Sequence, residues 1–147
     1  MSLSFNYDVV RTLKYNIRNA GQKKRKAGMK ATERVAKKLL KLSQKLVPVD
    51  TGNLKESGRV EKAEQGILSY SVVYSATVRD RHENYGKPKS LANVADPDFN
   101  YAYAIHEDVP RVYNHPNGGQ SKYLEQPYRE NKDKFLAEIG NAIRRAK

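Results

Sequence analysis

An α+β fold is predicted for this chain: a long N-terminal amphipathic helix and a C-terminal helix packed on one face of a small antiparallel sheet. Three observations carry that expectation. Apolar residues recur at spacings of three and four over 27–47 and again over 135–143, the period of a helix with one buried face. Residues 67–78 instead alternate from one face to the other, as a strand does. The 147 residues suit one domain, 1–147, with a single modest core.

In chain order, Phe5, Val9, Leu13, Ile17 and Ala20 predict a short amphipathic helix over 5–20, ending near Gly21. Gln22 to Lys26 is basic and Gly28 weakens helix propensity, yet the pattern reads best as the start of one long basic helix over 22–47. Ala31, Val35, Leu39, Leu42 and Leu46 form its apolar stripe, with Ala36, Leu40 and Val47 beside them. Lys30, Arg34, Lys37, Lys41 and Lys45 stand together on another side.

The corner that follows runs from Leu46 to Ser57. Pro48 lacks an amide proton and drives Val47 out of the helical region, so the helix must stop there. Asp50 and Thr51 suit a cap or an Asx-type turn, Gly52 supplies backbone freedom, and Leu54 is the apolar anchor. Beyond it, 58–64 and 67–78 read as two strands joined around Gln65-Gly66, with Leu68, Tyr70, Val72 and Tyr74 sharing a face. Residues 79–100 form a long polar loop, and Tyr101 to Glu107 reads as a third strand, giving a sheet from 58–78 and 101–107. After a loop over 109–120, Phe135, Leu136, Ile139, Ala142 and Ile143 predict a final helix over 127–146, its end rich in cations as the macrodipole favours.

The pattern Val47-Pro48-Val49-Asp50-Thr51-Gly52-Asn53-Leu54-Lys55-Glu56-Ser57, following a Lys- and Ala-rich helix, resembles that of the tail-completion or head-tail joining proteins of long-tailed bacteriophages, also called minor tail or neck proteins. Two further stretches fall in that family's order. Tyr101-Ala102-Tyr103-Ala104-Ile105-His106-Glu107 is similar to its Tyr-Ala strand, and Ser121 to Tyr128 to its lead-in to a final helix. The resemblance spans 27–147, with 79–100 as an insertion. It departs after Glu107, where Asp108-Val109-Pro110 replaces the family's aromatic-Gly-Thr turn. The resemblance implies a non-enzymatic virion protein, made in the host cytoplasm. It would assemble as a homo-oligomeric ring between the connector or head-completion proteins and the tail tube. Pro48, Asp50, Thr51, Gly52, Leu54 and Ser57 would be its structural determinants. Arg79, Arg81, Tyr85 and Tyr113, with the five cations named above, would be its contact residues.

Composition narrows the chemistry. Cysteine is absent, which excludes a disulfide scaffold and a thiolate metal site. No run approaches the about 18 apolar residues of a membrane span, and Met1 to Phe5 shows no signal-peptide core, so no membrane partner is expected. His82-Glu83, His106-Glu107 and His115 lack any metal-binding spacing, and no nucleophile elbow or phosphate loop occurs. Neither an enzyme, a metal nor a cofactor is expected.

Charge is concentrated. Arg11 to Lys45 holds thirteen basic residues and one acid, Glu33, and so equals by itself the net +12 of the whole chain. Such a face suits nucleic acid, an anionic surface or an acidic neighbour. The competing function class is therefore a basic, sequence-nonspecific nucleic-acid-binding protein contacting phosphates through these lysines. In a ring that must release DNA, the lysine face is expected against acidic neighbours or solvent, with weak, salt-sensitive DNA contact only.

Overall fold

The computed structural model describes residues 3–4, 21–49, 51–62, 69–77, 98–107 and 118–146. In chain order the elements are β1 (Leu3–Ser4), α1 (Gln22–Leu46), α2 (Asn53–Glu56), β2 (Arg59–Lys62), β3 (Tyr70–Tyr74), α3 (Tyr101–His106) and α4 (Glu125–Arg145). The predicted helix over 5–20, the turn at Gln65-Gly66 and most of the two predicted loops lie outside the described residues.

The α+β architecture is as predicted. The sheet is antiparallel with order β1-β3-β2; Val60 pairs with Val72 on one side of β3, and Leu3 pairs with Tyr74 on the other. Helix α1 lies across the sheet, and α4 packs along α1. The two helices run antiparallel, because one groove between them is lined by Leu42 with Asn131 and Phe135, and another by Arg34 with Ala142 and Arg145. One core joins all these layers: Ala31, Val35 and Leu39 of α1, Val72 and Tyr74 of β3, and Phe135 and Ile139 of α4. The predicted stripe of α1 is thus the buried face, with Leu42 and Leu46 partly buried at its margin.

Helix α1 ends as Pro48 requires. Val47 is extended at φ −60° and ψ 128°, while its amide still donates to the Ser43 carbonyl at 2.9 Å. The final helix begins at Glu125, slightly before the predicted boundary, and accommodates Pro127 in its first turn, where amide protons have no intrahelical partner.

One predicted element is wrong in kind. Tyr101 to Glu107 is not a strand: Tyr101–His106 is helical, capped by the Asn100 side chain, which accepts from the Ala102 amide at 3.1 Å. A strand would place Tyr101, Tyr103 and Ile105 on one face. The helix buries Tyr101, Ala102, Ala104, Ile105 and His106 and leaves Tyr103 53% exposed. The third strand of the sheet is supplied by Leu3–Ser4 instead. The family-like strand at 101–107 is corrected with it.

Candidate interaction surfaces

Among the described residues, two regions hold those that the sequence singles out: the corner after α1 and the solvent face of α1. At the corner, Gly52 precedes α2 with φ +94°, a left-handed backbone that favours glycine. Its carbonyl accepts from the Glu56 amide at 2.9 Å, and Ser57 returns its hydroxyl to the Leu54 carbonyl at 2.7 Å. Thr51 Oγ1 lies 3.5 Å from the Asn53 amide, at the limit of hydrogen bonding. Leu54 is buried among core residues. Thr51, Gly52, Leu54 and Ser57 thus lie in the one-turn helix α2 or at its start and end, Pro48 stands at the end of α1, and Asp50 lies outside the described residues.

Three contacts lash this corner to the body. The Gln44 side-chain amide donates to the Lys55 carbonyl at 3.1 Å, Asn53 Nδ2 donates to the Tyr101 hydroxyl at 2.6 Å, and the Gln120 amide donates to the Leu46 carbonyl at 2.9 Å. Gly119 passes so close to the end of α1 that an added Cβ would sit 2.3 Å from Pro48 Cα. The segment 118–124 therefore straps the corner from outside, then turns inward at Tyr123 and Leu124, both fully buried.

Tyr123 belongs to a buried polar chain that sequence reasoning missed. Its ring stands edge-on to Tyr74 at 5.1 Å and to His106 at 4.9 Å, and its hydroxyl donates to the Ala102 carbonyl at 3.0 Å. Tyr74 meets Ser43 Oγ at 2.6 Å. Burial pushes the Tyr74 hydroxyl up to about 12, opposed by the Ser43 bond, and raises Tyr123 as well. His106 Nδ1 lies 2.8 Å from Glu107, whose other oxygen accepts from Lys122 at 2.5 Å. Burial holds His106 below the ordinary histidine value despite Glu107, while the Lys122 bond lowers the Glu107 carboxyl. Aromatic and titratable residues scattered between 43 and 123 gave no periodic signal, because only the tertiary fold brings them together. Every polar member except Glu107 and Lys122 is shielded from solvent, and the contacts join α1, β3, α3 and the 118–124 strap.

Along α1, seven cations share one face. At 3.6 residues per turn Lys23, Lys26, Lys30, Arg34, Lys37, Lys41 and Lys45 fall within about 100° of arc, opposite the core stripe, over about 33 Å of helix. All seven are exposed. Lys37 pairs with Glu33 at 2.5 Å, and Arg34 stands 3.7 Å from Glu138 of α4. Glu138 also binds Lys38 at 2.5 Å, so α4 contributes one carboxylate to the margin of this face. Among the described residues, the other five of the seven make no ion pair.

An open groove between α1 and α4 is lined by Arg34, Lys134, Glu138, Asn141 and Arg145, among others, which extends the basic surface sideways onto α4. Among the described residues, no group of three or more histidines and acids is placed to hold a metal ion, and no helix is long and apolar enough to cross a membrane. Arg79, Arg81, Tyr85 and Tyr113, as well as His82 and His115, lie outside the described residues. No protein-family model, curated protein or solved structure matches the chain.

Proposed function

We propose that this protein is a structural component of the virion of a long-tailed bacteriophage, a tail-completion or neck protein that assembles into a ring joining the head connector to the tail tube. The observation that supports the reading is the corner at 47–57. Its motif carries the family resemblance, and its residues act through shape: Pro48 stops α1, Gly52 takes a left-handed turn and Leu54 fills the core. A protein of this kind works by adhesion and geometry, without turnover. The strapped corner and the buried tyrosine chain suit a rigid building block whose exposed faces meet neighbours.

Self-association without nucleic acid tests the reading. Sedimentation velocity and negative-stain imaging of the purified chain are expected to show rings whose population rises with protein concentration. Phage lacking the gene should accumulate separate heads and tails. A chain that stays monomeric or dimeric at every concentration while shifting DNA at low salt is instead a nucleic-acid-binding module, and the neck reading falls.

A further inference from the structure

We infer that the solvent face of α1 is a binding surface for the phosphate backbone of duplex DNA, contacted without reading of bases. The inference stands on the geometry of that face and does not rest on the neck reading. Charge alone is equally suited to an acidic protein neighbour. What separates them is what the face lacks.

A protein interface needs an apolar core ringed by polar groups, and lysine is depleted there. The stripe from Lys23 to Lys45 is lysine except for Arg34, and the apolar residues of α1 lie on the opposite face, committed to the sheet and α4. Among the described residues the exposed large hydrophobic side chain is Tyr103, on α3. An anionic membrane is disfavoured for the same reason, since interfacial helices bind by burying an apolar face. Single-stranded nucleic acid is disfavoured because α1 contains no aromatic residue on which bases could stack. A straight row of exposed cations, one per about 5 Å over about 33 Å, matches a rigid polyanion and spans about one turn of duplex. Lysine point charges suit phosphate contact rather than the bidentate recognition of base edges.

The test is fluorescence anisotropy of the full chain with two 30-base-pair duplexes of unrelated sequence, titrated with salt. Equal affinity for both is expected. With five cations that pair with no carboxylate among the described residues, the slope of log affinity against log salt should be about −4.5, at about 0.9 per phosphate neutralised. The triple variant Lys30→Gln, Lys41→Gln, Lys45→Gln should lose about 2.7 of that slope. A control with Lys55→Gln, Lys62→Gln and Lys132→Gln removes the same charge elsewhere and should retain it. These side chains are all exposed, so unchanged circular dichroism and melting temperature are expected of both variants, and a stripe variant that melts early is replaced by the single change Lys41→Gln. Equal losses in variant and control, no binding by the wild type at low salt, or strong preference for one duplex would each overturn the inference. Sedimentation of the stripe variant without DNA separates the two proposals: normal assembly with lost DNA affinity supports this one, and lost assembly with retained affinity overturns it while leaving the neck reading standing.

Discussion

At the scale of single residues, the buried polar contacts make the sharpest predictions. Ser43 has one hydroxyl proton, and its Oγ also lies 2.9 Å from the Leu40 carbonyl, so the proton goes there and the Tyr74 hydroxyl donates to Ser43 at 2.6 Å. Ser43→Ala then leaves a buried tyrosine hydroxyl without its acceptor, which costs about 1–3 kcal/mol, whereas Tyr74→Phe leaves only an acceptor with a spare lone pair and costs less. Urea unfolding of both variants and the double variant should show that the two losses do not add. Gly119 is constrained differently. At φ +94°, with Pro48 Cα 2.3 Å from where a Cβ would sit, Gly119→Ala must move the strap off the corner, and a loss of about 1–3 kcal/mol is expected in the same assay.

At the scale of elements, Leu54 decides what the corner is for. It is the buried anchor of the four-residue helix α2, so Leu54→Ala should lower stability by about 2–4 kcal/mol. Unchanged melting combined with failed self-association would make it an interface residue instead. Elements whose stability is written locally were legible: α1 has a long periodic stripe and a proline stop, and α4 has Phe135 and Ile139 four residues apart. The candidate site was legible to the same extent, since the cation stripe follows from helical period alone, whereas Glu138 reaching Lys38 and Arg34 does not. Tyr101–His106 was misread because alternating Tyr and Ala satisfies both periods over six residues, and the Asn100 cap settles the choice towards helix. Strand β1 was missed because two residues carry no period at all, and the ladder partner on β3 is about seventy positions away.

At the scale of the whole molecule, α3, the 118–124 strap and the core are joined through His106, Glu107, Lys122 and Tyr123, so stability should follow their titration. Burial makes His106 harder to protonate when folded, with Glu107, Lys122 and Glu125 acting on it from the strap and neighbouring helix ends. Below the ordinary histidine value of 6.5 the unfolded chain takes up a proton that the folded chain resists, so stability falls as pH drops through that value towards the lower folded one. Glu107, held below 4.5 by Lys122, continues the decline at lower pH. On the alkaline side the signs reverse: Tyr74, at 10.0 when unfolded and about 12 when folded, loses its contribution as pH rises through that window, and Lys122, raised by Glu107, loses its own as pH climbs past 10.5. A plot of melting temperature against pH should therefore be flat between about 7 and 9 and fall on both sides. The chain holds two further histidines, His82 and His115, so the first acid step needs its own control. Glutamine at position 106 cannot ionise, and His106→Gln should lower the plateau by disturbing the stack on Tyr123 yet remove the decline that begins at 6.5, leaving the carboxylate step in place. An acid limb of unchanged onset and slope in that variant would assign the step to another histidine and detach His106 from the acid sensitivity of the fold.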